Sequence, residues 1–207
     1  MAMLRRGRQS IVFDRHPAIL STAAIGGKNE LEGPLHAYFD ELSRDTRFRQ
    51  RTWEKAESKM QALALETAKS KAGIRDEDID VLLSGDLLNQ CVSSSFAVRD
   101  TDIPFLGLYG ACSTMAEALL LAGVAVNSGY AQVAAAMSSS HFATAERQYR
   151  FPLGYGGQRT PTAQWTVTGA GCVLLGQREG NVVLNAATMG TVVDFGIKDA
   201  ANMGAAM

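Results

Sequence analysis

Apolar residues along this chain recur with two different periods, and the alternation between them lays out an expected fold. Ser10 to Phe13 reads as a short strand, and Ser21 to Gly33, with two adjacent glycines, reads as a loop. Between Thr52 and Ala72, Met60, Leu63, Ala64 and Ala68 recur at helical spacing, and Gly73 supplies a stop. Ile79 to Ser84 is a continuous apolar run of strand length that ends at Gly85-Asp86. A short helix is expected over Ser93 to Arg99, followed by Pro104 and a second buried strand, Phe105 to Tyr109. Ser113 to Asn127 is a helix of small residues stopping near Gly129, and Gln132 to Met137 is a third strand. Helices alternating with apolar strands predict right-handed βαβ units on a parallel sheet. Beyond Gly154 the pattern changes. Residues 154–163 form a loop rich in Gly and Pro, and Thr166 to Leu175 and Val182 to Val193 read as two long strands. A turn at Glu179-Gly180 would pair those two strands antiparallel. No repeat, low-complexity tract or charged linker intervenes, so one α/β domain over residues 1–207 is expected.

Composition narrows this picture. With 207 residues, a net charge of −1 and 46% hydrophobic residues, the chain is neither disordered nor basic enough to have nucleic acid as its main partner. Charge is uneven. Residues 1–60 hold 11 basic and 8 acidic side chains, and none lies between Glu117 and Glu146. That uncharged middle must be mostly buried, so chemistry placed there is desolvated. Three cysteines are too few and odd in number for a disulfide scaffold, which points to a reducing compartment. No apolar segment follows the basic start, so no secretory signal is expected. The longest apolar run, Ala118 to Val126, is far short of the roughly 20 residues a spanning helix needs. The expected location is cytoplasmic, or peripheral to a membrane.

The segment Phe105-Leu-Gly-Leu-Tyr-Gly110-Ala-Cys112-Ser-Thr114 carries the most chemistry. A strand enters a tight Gly-Ala turn and a helix begins at once, placing Cys112 at a helix N-terminus, where thiolates and anions are favoured. The alternative is a small residue closing a strand–helix junction. Cys91 and Cys172 have no such context and read as packing residues, and no ligand spacing supports a zinc site. Asp86 and His141 each follow another apolar strand. Carboxyl ends of parallel strands share one edge, so Asp86, Cys112 and His141 are expected to share a pocket, with Asn89 nearby in GDLLNQ. Asp86 could instead cap the next helix, and His141 could be a satisfied core histidine. Arg147 and Arg150 could clamp an anion or simply line a solvated helix face. Tyr155-Gly-Gly-Gln158-Arg159 would form a rim suited to close backbone approach.

With GDLLNQ at 85–90, GACST at 110–114, SSH-x-ATAERQYR at 139–150 and YGGQ at 155–158, the chain resembles the stage V sporulation protein AD family of the thiolase-like superfamily. The resemblance runs from near residue 8 to the last residue. It implies a layered α-β-α core that is the first half of a duplicated fold, usually dimeric. It also implies a protein of spore-forming bacteria, part of a stage V membrane complex that moves dipicolinic acid into the developing spore. The role implied is dipicolinate binding rather than acyl transfer. Cys112 matches the superfamily's nucleophile, whereas its base and second active-site residue come from a second copy. The sequence is expected to lack that copy, since it stops at Met207.

Three functions follow as expectations. The first is non-enzymatic binding of dipicolinate by Asp86, Asn89, Cys112, His141, Arg147 and Gln158. Asp86 would repel a dianion, which a bridging Ca²⁺ would relieve. The second is acyl transfer or ketoacyl synthesis through an acyl-Cys112 intermediate. The sequence offers no phosphate-cradling Gly loop and no basic pocket for coenzyme A. The third is an assembly piece that pairs with other subunits of the complex or with its own copy.

Overall fold

The computed structural model describes residues 4–149, 166–177 and 180–198. Its strands are β1 (Leu4–Arg6), β2 (Ser10–Val12), β3 (Ala18–Gly26), β4 (Glu41–Leu42), β5 (Val81–Gly85), β6 (Phe105–Gly107), β7 (Val133–Ser140), β8 (Gly169–Gly176) and β9 (Ala186–Thr188). Its α-helices are α1 (Lys28–Leu31), α2 (Trp53–Ala72), α3 (Val92–Val98), α4 (Thr114–Ser128) and α5 (Phe142–Tyr149). The main sheet has the order β4-β3-β8-β7-β5-β6, and β1-β2-β9 form a smaller antiparallel sheet.

The main sheet is buried on both faces because its central strands are apolar on both. Leu82 of β5 and Ala135 and Met137 of β7 face one core with Met60, Ala64, Leu65 and Ala68 of α2. Val81, Leu83, Ala134 and Ala136 face the other core with Ala118, Ala122 and Val126 of α4. Period-two alternation along the strands thus sends successive residues to opposite helices, giving three layers. Helix α2 starts at Thr52, whose hydroxyl accepts from Lys55 N at 3.3 Å, and ends at Gly73 in the left-handed region. The apolar stretch Ala111–Ser128 has the length and mean hydropathy (1.3) of a spanning helix, but α4 within it packs on the sheet.

Several expectations change. The sheet is mixed. β5 pairs parallel with β6 and β7, but β8 runs antiparallel to both β3 and β7. The expected loop from Ser21 begins instead inside β3, whose polar Ser21 is satisfied by donating to Ala68 O at 2.7 Å. The two expected late strands do not pair with each other. β3 and β7 occupy both edges of β8, so residues 182–188 run beside 10–19 instead. Ile19 N there donates to Val182 O, and Leu184 N to Pro17 O. β6 is an edge strand, not a buried one, and Leu106 is 53% exposed.

One glycine sets how close β5 and the β6 exit come. A Cβ on Gly85 would lie 2.1 Å from Leu108 O and 2.7 Å from Thr114 Cγ2. Urea denaturation should show Gly85→Ala destabilised by about 1–3 kcal/mol, since Leu108 would have to move. Leu82→Ala, in a fully buried position, should lose about 2–5 kcal/mol by the same measurement.

Candidate functional site

The carboxyl ends of β6, β5 and β7 lie side by side, with Ser84 opposite Gly107 and Gly85 opposite Ser138. The chain therefore leaves the sheet at one edge three times: into Asp86–Cys91, into Leu108–Thr114, and into His141 and α5. That is the shared edge the sequence predicts, and each candidate is built into it differently.

Cys112 is exposed, in a single 3₁₀ turn, Ala111–Ser113, that precedes α4. The turn is taut. Ala111 has φ of 49°, a left-handed value that costs a non-glycine residue about 1 kcal/mol or more. It is held by Thr114 Oγ1, which donates to Ala111 O (2.9 Å) and accepts from Gly110 N (3.2 Å). Ser113 Oγ donates to Gly110 O at 2.7 Å, so no side chain caps α4. The Glu117 carboxylate reaches back over the turn: a Cβ on Gly110 would lie 2.6 Å from its Oε2. A negative group thus already stands at the positive end of α4.

Asp86 is 1% exposed and serves the backbone. Its Oδ1 accepts from Leu88 N (2.9 Å), and its Oδ2 accepts from Ser94 N and Ser94 Oγ (both 2.7 Å). This carboxylate caps α3 and, contrary to expectation, is not placed to bridge a Ca²⁺ to a ligand. Its oxygens are occupied and shut away from solvent. Among the described residues no group of three or more His, Cys, Asp or Glu gathers to hold a metal ion. Asn89 is exposed in the 3₁₀ turn that follows. The next two residues, Gln90 (φ 62°) and Cys91 (φ 51°), are both left-handed. Cys91 is buried and donates its thiol to Leu108 O at 3.1 Å, tying this strained turn to the β6 exit. Burial, then the nearby Asp86 charge, push the Cys91 thiol up. Burial pushes the Cys172 thiol up to about 12. Both behave as packing residues.

His141 is fully buried. Its Nε2–H donates to Thr46 O (2.8 Å), and its Nδ1 accepts from Ala143 N (3.2 Å), which fixes the neutral tautomer. The ring stacks on Phe142 at 4.9 Å and lies 5.3 Å from Trp53, over which Arg47 sits at 4.5 Å. It therefore pins the loop before α2 to the start of α5 and presents no ring nitrogen to the edge. The backbone of Arg147 lies in α5, whereas Arg150, Gln158 and Arg159 lie outside the described residues.

Two residues of this region went unnoticed in the sequence. Glu57 and Gln61, both fully buried on α2, start a chain of hydrogen bonds beneath the edge. Gln61 Nε2 donates to Ser139 Oγ (2.6 Å) and Ser94 Oγ (3.0 Å), while Ser84 Oγ donates to Gln61 Oε1 (3.1 Å). Ser139 Oγ donates to Glu57 Oε1 (2.8 Å), and Thr144 Oγ1 lies 2.5 Å from Glu57 Oε2. Burial raises the Glu57 carboxyl to about 7 against the pull of Thr144 and Ser139, with Asp86 and Glu54 adding to the rise. A signal was available: residues 57, 61, 64, 65 and 68 form one helical stripe, and an acid and an amide inside an apolar stripe mark a buried network.

Comparison with known proteins adds what geometry alone cannot. The family model described as Stage V sporulation protein AD (SpoVAD) matches residues 7–207. Stage V sporulation protein AD of Bacillus subtilis (strain 168) is 44% identical over 202 residues, which are 97% of this chain and 60% of the relative. The chain thus spans less than two thirds of that relative's length. Among solved structures, the acyltransferase ChlB3 superposes with a TM-score of 0.53 at 19% identity, over 80% of this chain and 51% of its own. The 3-oxoacyl-[acyl-carrier-protein] synthase III of Aquifex aeolicus VF5 gives 0.53 at 17% identity, over 79% and 54%. At such identity these two establish a thiolase-like fold and nothing of activity. The match along nearly its whole length shows that the chain belongs to the stage V sporulation protein AD family.

Proposed function

We propose that this chain is the non-catalytic, dipicolinate-binding part of a sporulation protein, working for a membrane complex that moves dipicolinate into the developing spore. The observation that carries the reading is the state of His141. Both ring nitrogens are committed to backbone groups, so the histidine expected at this edge is no general base for Cys112. Family membership supplies the sporulation role. In this reading Asn89, the Cys112 turn, Arg147 and Gln158 meet the two carboxylates of the ligand. Asp86 and His141 hold the loops that carry those groups and do not touch the ligand. Association with other subunits of the complex, and with a second copy of the chain, belongs to the same proposal.

A second reading is acyl transfer through Cys112. An exposed thiol in a strained turn before α4 favours it. The two readings separate in solution. Calorimetric titration of dipicolinate into the chain should give saturable heat that Arg147→Ala weakens about tenfold to a hundredfold, the value of a charge-assisted hydrogen bond. Cys112→Ser should leave the affinity within about threefold of wild type, being a near-isosteric change of one contact. No heat from dipicolinate at any concentration up to saturation would sink the binding reading. Incubation with acetyl-CoA followed by mass spectrometry should leave Cys112 unmodified, and an acetyl adduct there would overturn the non-catalytic one.

A further inference from the structure

Around Glu57 there are more hydrogen-bonding contacts than hydroxyl hydrogens to fill them. Thr144 Oγ1 has one hydrogen and two acceptors in reach: Glu57 Oε2 at 2.5 Å and His141 O at 3.0 Å. Ser139 has already given its hydrogen to Glu57 Oε1. All of these contacts are hydrogen bonds at once when Glu57 carries a proton on Oε2 and donates it to Thr144, freeing the Thr144 hydrogen for His141 O. At the other end of the same chain, Ser94 donates to Asp86, which accepts three hydrogen bonds.

We infer that Glu57 is the positioning residue of this site: protonated, it ties the first turn of α5 to β7, and its ionisation loosens that turn and weakens dicarboxylate binding there. This rests on the binding function proposed above. Ionisation would draw the Thr144 hydrogen to the carboxylate and away from His141 O, which also accepts from the Ala145 N–H. His141 O is the first carbonyl of α5, and α5 carries Arg147. Among the described residues, the charged and titratable groups facing Glu57 are Glu54 on its own helix, Asp86 at the end of β5 and, through its carbonyl beside Thr144, His141 before α5. The first two oppose a second negative charge. Burial is the largest cause and lifts the carboxyl to about 7, so the change falls near neutrality.

The sign follows directly. In the unfolded chain Glu57 returns to about 4.5, so between about 4.5 and 7 the folded state binds the extra proton. Stability therefore declines as pH rises through that window and levels off above it. Ligand affinity behaves differently: it holds below about 7 and falls above, by at most about tenfold per pH unit, as the protonated form is depleted. Glu57→Gln keeps a donor to Thr144 and an acceptor for Ser139 and should make the affinity independent of pH.

The test measures dipicolinate affinity of the full chain from pH 6 to 8.5 in wild type, Glu57→Gln and Thr144→Val. The backbone amide shift of Ala145 is followed over the same range without ligand. The expected result is a wild-type amide titration with its midpoint near 7 that both variants abolish, together with a pH-dependent affinity in wild type alone. An Ala145 shift that stays flat in wild type overturns the inference, even if both variants fail to fold. An amide titration that persists in Glu57→Gln assigns it to another group, His141 foremost, and overturns it too. Absence of dipicolinate binding with the Ala145 titration intact would instead defeat the binding function and leave the proton switch standing.

Discussion

Two helices must cover the two faces of the central strands, because β5, β7 and β8 carry apolar side chains on both. Everything else is placed by that requirement. α2 and α4 are long enough to do the covering, and small residues such as Ala118 and Ala122 let α4 approach closely. Three parallel strands between them must then release the chain at one edge. The edge is thus a by-product of burying the sheet, and the polar groups beneath it are those the sheet could not shed.

Those polar groups, buried beneath the edge, explain how its loops keep strained shapes. Gln90, Cys91 and Ala111 all adopt left-handed backbone at this edge. Asp86 holds the start of α3 next to the first two, while Thr144 and His141 hold the start of α5. Strain of this kind persists only where surrounding bonds over-determine it. Around Gln90 and Cys91 they run through Asp86 and Ser94 to Gln61, which is bonded to β5 and β7 together, and around Ala111 through Thr114.

The helices and the three strand ends were legible because their signals are local. Met60, Ala64 and Ala68 repeat at helical spacing, and Gly73 and Gly129 adopt the left-handed caps their positions call for. β3 was not legible, because its burial comes from neighbours distant in sequence, and Ser21 and Thr22 look like loop residues until Ala68 and the sheet are in place. The long late strand failed for the same reason, since nothing local in Val182 to Val193 says that β8 has no free edge. At the site, the positions of Asp86, Cys112 and His141 could be read, but their orientation could not. Whether a carboxylate faces a ligand or Ser94 depends on a helix folded eight residues later.

The small sheet has a consequence of its own. Ser10 and Thr188 meet across its strands through a hydroxyl contact of 2.9 Å, although they are 178 residues apart. Phe13 and Leu184, one from each of these distant segments, both rest against Gly123 of α4, where a Cβ would lie 3.0 Å from each. Closing so long a loop is entropically costly before any contact repays it. β2 can pair locally with β1, but it docks with β9 only after α4 and the main sheet have formed, and a ribosome must deliver residue 188 before that second partner exists. A strand made early in this segment is thus among the last to settle.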